Sequence, residues 1–285
     1  MLAELESSVA KYCFLMRYCG AFPVTIFGSV FTLNRLHMAL SLFQILVLLG
    51  LLYHRTSLVN FYLPLIYFLV ILHGICTHIL LPLNFIWSVL KIKQLNRVMQ
   101  VFVSIDISLL RMGIKCKNSV SLGFTLAQSL AVTCVIGAMV VSRFPVHFFF
   151  FHTVPTLPMI TTTLFFSFFI NLVGERFAVL TAEIRPVRIK LIFLTSLYNE
   201  LWQLFRDLNS LFSLQVFIII ASSMSTIVIY FFYLIKRLQA GTNSQLALPL
   251  IVWFLGWVML YISFALNVIH ICHKVSVKVD LYRIY

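Results

Sequence analysis

The sequence predicts an all-α polytopic membrane protein with six transmembrane helices and a cytoplasmic N-terminus. Three observations carry that expectation. Apolar residues make up 61% of the 285 positions and charged residues 10%, with a mean hydropathy of +1.02. A soluble domain needs roughly a quarter charged residues to cover its surface. Six uncharged runs each reach the ~20 residues that a helix needs to cross about 30 Å of hydrocarbon. Lys and Arg gather on alternate connections between those runs, the pattern that orients membrane proteins. A net charge of +13 would suit a nucleic-acid binder. Here the basic residues sit in short connections between long apolar runs, so no nucleic-acid partner is expected.

The elements follow in order. The first 35 residues mix Glu4, Glu6, Lys11, Arg17 and Arg35 into a moderately apolar stretch. That is not a basic flank followed by a compact apolar core, so the first span is expected to act as its own insertion signal. Spans are placed near 36–54, 60–82, 120–142, 146–172, 212–235 and 247–270. They must be helices, because backbone polar groups in lipid have to satisfy one another. A barrel would need alternating strands of about ten residues. Seventeen of the 21 Lys and Arg residues then fall on one side, and only Arg55, Arg143, Lys236 and Arg237 on the other. The basic side is normally cytoplasmic, which puts both termini inside and makes the outer loops short. That orientation is opposite to a G-protein-coupled receptor's. Cys13, Cys19, Cys116 and Cys272 fall near the cytoplasmic face, and Cys76 and Cys134 within spans, so no structural disulfide is expected.

Residues 197–220, LYNELWQLFRDLNSLFSLQVFIII, start polar and end apolar with no Pro or Gly between. Leu194, Leu197, Leu201, Leu204, Leu208 and Leu211 are spaced 3, 4, 3, 4, 3, which is an a/d seam of about two and a half heptads. Ser196, Asn199, Glu200, Gln203, Arg206, Asp207 and Ser210 lie between them. One reading is an amphipathic helix on the membrane surface. Its low basic content argues against that role. The other is a cytoplasmic continuation of the fifth span that bundles with similar helices, at an oligomer axis or within an intracellular domain.

Several cues follow this order along nearly the whole chain. Cys-Gly-Ala-Phe-Pro stands at 19–23, the Leu-rich segment at 197–212 carries Asn209 before an apolar run, and Tyr-Phe-Phe-Tyr stands at 230–233. With the inward N-terminus, this layout resembles the insect gustatory receptor family of the insect chemoreceptor superfamily. The resemblance implies a seven-helix subunit of a ligand-gated cation channel in the plasma membrane. It would form a homo- or hetero-tetramer with other such subunits, detect a small-molecule tastant, and extend its fourth to sixth spans into a cytoplasmic anchor. It implies no enzyme activity and no cofactor. In the family a seventh helix with a Thr-Tyr…Gln-Phe signature lines the pore. Residues 275–285 carry neither the run nor the signature, so a truncated member is expected.

Ligands are expected, by that resemblance, among the outer parts of the second to sixth spans. The polar and aromatic residues there are Tyr67, His147, His152, Thr156, Tyr230, Tyr233, Trp253 and Trp257. Tyr and Trp also collect at membrane interfaces as anchors, so both roles stay open. His73 and His78, like His147 and His152, are five apart, whereas a helical zinc pair prefers i,i+4, and no metal site is expected. His270, Cys272 and His273 fit interfacial anchoring better than ligation. No Asp or Glu lies mid-span, and no inverted repeat is visible, which disfavours an ion-coupled carrier. A multi-span transporter or membrane-embedded enzyme remains the alternative class.

Overall fold

The structure, a computed structural model, describes residues 2–18, 22–27, 29–58, 64–114, 146–184, 191–239 and 247–283. Among these, six helices and one short hairpin occur in the order α1 (Leu2–Tyr18), β1 (Val24–Phe27), β2 (Val30–Leu33), α2 (Arg35–Leu58), α3 (Pro64–Arg111), α4 (Val146–Ile184), α5 (Leu191–Gln239) and α6 (Ala247–Arg283).

The ends of the elements have local causes. Asn34 caps α2, its Oδ1 accepting from the backbone N–H of Leu36 at 3.0 Å and of His37 at 3.3 Å. Pro64 opens α3, where its missing N–H would have had no partner anyway. At the other end the N–H of Ile114 reaches the carbonyl of Leu109, and that of Gly113 the carbonyl of Leu110. This closing pattern needs a left-handed residue, and Gly113 supplies it with φ 81°.

α4 is the central helix. Most of its stretch Thr156–Ala182 is buried, and α1, α2, α3, α5 and α6 all pack on it. Polar groups on so enclosed a helix must find partners, and the hydroxyls do so locally. Thr161 Oγ1 donates to the Leu157 carbonyl, Thr162 to that of Pro158 and Thr163 to that of Met159. On α5, Ser223 bonds back to Ile219, and Thr226 to Ser222. Other side-chain bonds cross between helices. Asn84 donates to Thr162 at 2.7 Å, Asn267 to Ser167 at 2.8 Å, and the Trp87 indole to the Leu211 carbonyl at 2.7 Å.

Three helical stretches are long and apolar enough to cross a membrane among the described residues: Thr156–Ala182, Phe193–Phe232 and Leu255–Val277. The all-α expectation holds in its main lines. The predicted spans near 36–54, 60–82, 146–172, 212–235 and 247–270 fall largely on α2 to α6. The one near 120–142 lies outside the described residues, as do Arg143, the 185–190 segment with Pro186 and residues 240–246.

Two features depart from the sequence expectation. No element is assigned from the sequence to the mixed stretch before the first span. That stretch forms α1 and a hairpin. Leu5, Val9, Cys13 and Met16 make one buried stripe on α1, and Tyr12 lies against Phe168 of α4 with ring centroids 4.5 Å apart. The hairpin pairs Val24 with Leu33 and Thr25 with Thr32, the two Thr hydroxyls 2.9 Å apart. Asn96 of α3 fastens it: its Oδ1 accepts from the Phe31 N–H at 2.6 Å and its Nδ2 donates to the Phe31 carbonyl at 3.1 Å. Second, the span near 60–82 and the basic connection after it are one uninterrupted 48-residue helix, with Pro82 inside it. The physical reason is periodicity. Leu95, Val98, Met99, Phe102, Ile105 and Leu109 continue a buried stripe through the basic stretch, so packing carries the helix on where hydropathy falls.

The core divides along the bundle axis. The larger part joins α1, the hairpin, Ile45 and Leu48 of α2, the second halves of α3 and α4, the first half of α5 and Val268, Ile271 and Val275 of α6, and Phe22, Trp87, Phe165 and Phe212 form an aromatic layer within it. The smaller part lies toward the other end, among α3, α4, α5 and α6.

Candidate functional site

The predicted pocket residues can be followed into this smaller core. It gathers Leu80 of α3, Met159 of α4, Ile219, Ile229 and Tyr230 of α5, and Trp257, Val258, Leu260, Tyr261 and Phe264 of α6. Tyr230 and Trp257 are both buried there, and Thr156 is buried beside them. Thr156 Oγ1 stands 3.5 Å from the Tyr261 hydroxyl. The Trp257 and Tyr261 rings are 6.0 Å apart, and Tyr261 meets Phe264 edge-on at 5.8 Å. The Ser222 hydroxyl points at the Met159 sulfur at 3.8 Å. So the structure brings Thr156, Tyr230 and Trp257 into one cluster. The side chains of Tyr67, His147, His152, Tyr233 and Trp253 lie outside the described residues, although each position is on a helix.

Tyr261, Met159 and Ser222 join the cluster without having been singled out from the sequence. A signal existed for Tyr261. It lies four residues from Trp257, one helical turn on the same face. Chemically the cluster offers aromatic faces, a thioether and a few hydroxyls. That composition suits a small amphipathic organic molecule. With Tyr230 and Trp257 each under 5% exposed, such a molecule enters only if α4, α5 and α6 part or the rings turn.

The leucine seam behaves differently from a surface stripe. Leu194, Leu197, Leu201, Leu204, Leu208 and Leu211 are all buried within the single chain, in the larger core. Ser196, Asn199, Glu200, Gln203, Arg206, Asp207 and Ser210 on the same helix are exposed or half-exposed. The six leucines are therefore packed within the single chain. Between α3 and α5, beside the seam, lies an open cleft of about 140 Å³ lined by Arg97, Val101, Ser104, Glu200, Gln203, Leu204 and Asp207. It sits at the end of the bundle away from the smaller core.

The feature the sequence did not reveal is a buried ion pair. Arg176 of α4 donates from Nε to Asp106 Oδ1 at 3.0 Å and from Nη2 to Oδ2 at 2.8 Å. Both side chains are 0% exposed. Arg176 Nη1 also reaches the Leu172 carbonyl at 3.1 Å, and the guanidinium lies 5.7 Å from the centre of the Phe102 ring. This is the bidentate geometry in which Arg best offsets its desolvation. The periodicity held the clue. Arg176 continues the buried positions Phe169, Leu172 and Val173, and Asp106 continues Phe102 and Ile105.

Of the cysteines, Cys13 and Cys272 are described and free. Burial pushes the Cys13 thiol up to about 12, with the Arg17 charge pulling weakly the other way. Among the described residues no three His, Cys, Asp or Glu side chains come together as metal ligands. Compared with known protein families and with curated proteins, the chain matches none.

Proposed function

We propose that the chain is a chemoreceptor subunit of the insect gustatory type, a ligand-gated cation channel component that senses small organic tastants at the plasma membrane. One observation carries this reading most. α3 and α5 are 48 and 49 residues long, about 72 Å at 1.5 Å per residue, against about 30 Å of hydrocarbon. On the basic side, α3 and α5 run roughly 30–45 Å past the predicted span ends at 82 and 212. There they pack with α4 around the leucine seam and the Arg176–Asp106 pair. A receptor that couples an outer pocket to an inner assembly needs rigid helices shared by both, and α4, α5 and α6 are shared in this way.

In this reading the N-terminus is cytoplasmic, the cluster around Thr156, Tyr230 and Trp257 lies in the outer half of the bundle, and a tastant acts by wedging α6 from α4 and α5. The test is current recording from cells that express the chain, alone and beside a gustatory-receptor partner subunit, against a panel of small amphipathic organics. A ligand-evoked cation current that Trp257→Ala abolishes, with surface expression kept, supports the proposal. Absence of current beside the partner subunit, with the protein at the surface, overturns it.

A further inference from the structure

The exposed faces of the helices change character at one level. On α5 the exposed positions Ser196, Glu200, Gln203, Asp207 and Ser210 are polar, and the same stripe continues as exposed Leu214, Phe217, Met224, Val228, Phe231 and Ile235. The spacing stays at three and four with Ala221 between, so a single face passes from water-compatible to apolar within one turn. On α3 the exposed Ile79, Ile86 and Leu90 give way to Lys91, Lys93, Gln94 and Arg97. On α6 the exposed Leu255, Met259, Leu266 and Ile269 give way to His270, His273 and Lys274. On α2 exposed Arg35 precedes exposed Leu36, Leu40 and Phe43. The Trp87–Leu211 bond ties α3 to α5, the Phe166–Phe212 ring contact at 5.6 Å ties α5 to α4, and the Asn267–Ser167 bond ties α4 to α6, so the transitions on α3, α5 and α6 lie at a similar level.

We propose that the exposed basic residues at this boundary, Arg35 on α2, Lys91 and Lys93 on α3, and His270, His273 and Lys274 on α6, bind the headgroups of anionic phospholipids. The inference rests on the reading of the chain as a membrane protein and adds a lipid class and its contacts. Each of these groups stands beside exposed apolar side chains of its own helix, so one lipid can place its chains on Leu90 and its headgroup on the Lys91 cation, or its chains on Ile269 and its headgroup on the ring N–H of His270 and the Lys274 cation. On α6, His270, His273 and Lys274 share one face by their i, i+3, i+4 spacing. α2 carries no carboxylate, α3 carries only the buried Asp106, and α6 carries none before Asp280. The belt is broken at α5, which shows Ser210 and Ser213 at the boundary and Glu200 and Asp207 beyond it. Its Arg206 lies over the Trp202 ring at 5.4 Å. Anionic lipid therefore collects on the α2, α3 and α6 sides and is sparse along α5.

The experiment reconstitutes the full chain in bilayers whose acyl chains are brominated and follows quenching of its four tryptophans. Phosphatidylserine is compared with phosphatidylcholine. The expected result is quenching by both, with a preference for phosphatidylserine that weakens with salt. Lys93→Gln or Lys274→Gln should each lower that preference on the order of fivefold. Arg111→Gln, about 30 Å along α3 from Leu90 and beyond the ~8 Å screening length, should leave it unchanged. Glycerophosphoserine, which lacks acyl chains, should not compete. Equal quenching by the two lipids would overturn the headgroup proposal while leaving the membrane reading intact. Quenching by neither would remove both. An effect of Arg111→Gln equal to that of Lys93→Gln, or competition by glycerophosphoserine, would show unlocalised charge and overturn the belt.

Discussion

Arg176 and Asp106 have no water to fall back on, so each depends on the other. Asp106→Asn would leave the guanidinium buried without its counter-charge, and the expected loss is about 3–5 kcal/mol. Arg176→Met paired with Asp106→Leu removes both charges together and should recover most of that loss, because the desolvation cost goes with the attraction. Thermal unfolding in detergent distinguishes the two. If the double substitution were as damaging as the single one, the pair would be doing more than neutralising itself. Cys13 poses a simpler case. A thiol titrating near 12 holds almost no thiolate at pH 8, and the thiolate is the reactive form. Cys13 should stay unmodified by alkylating reagents in the folded protein and react only on unfolding, which mass mapping after timed labelling would read.

At the scale of the element, α5 shows what periodicity can and cannot tell. The 3–4 spacing of Leu194 to Leu211 correctly marks a continuous helix with one apolar face, and all six leucines are buried. The spacing does not say whose surface covers them, because any apolar partner satisfies it equally. The same limit hid the hairpin. Val-Thr-Ile-Phe and Val-Phe-Thr-Leu flank Gly28 and Ser29, a pair associated with two-residue turns, but strands of four residues carry too short an alternation to stand out beside apolar runs of about twenty. The length of α3 was hidden for the opposite reason. Hydropathy falls at Lys91, yet the buried stripe from Leu95 to Leu109 continues, and packing rather than hydropathy decides where a helix ends. Of the candidate site, Thr156, Tyr230 and Trp257 were legible as polar or aromatic residues at similar depth. Their convergence was not, since it depends on how α4, α5 and α6 rotate about their axes. Two substitutions test the seam. Leu201→Asp buries a charge without a partner and should cost several kcal/mol, whereas Glu200→Gln on the exposed face should stay within about 0.5 kcal/mol. Equal effects on unfolding in detergent would mean that α5 does not pack as described. Gly113→Ala forces a Cβ into a left-handed position and should lower stability by about 1 kcal/mol, in the same assay.

At the scale of the molecule, the apolar ends of α3 to α6 and their polar continuations belong to one packed unit. The aromatic layer of Trp87, Phe165 and Phe212 lies where the two halves meet. Force applied at the smaller core can therefore reach the Arg176–Asp106 level along unbroken helices, without a hinge in between on α4 or α5. This arrangement has meaning for a receptor only if the polar continuations are inside the cell. Ser104 of α3 and Gln203 of α5 are exposed on those continuations. The direct measurement is labelling of Ser104→Cys and Gln203→Cys with a membrane-impermeant thiol reagent, read against the unsubstituted chain in intact and permeabilised cells. The account predicts extra labelling at both positions only after permeabilisation. Labelling of either position in intact cells would contradict it, because the bundle below the boundary would then face the outside.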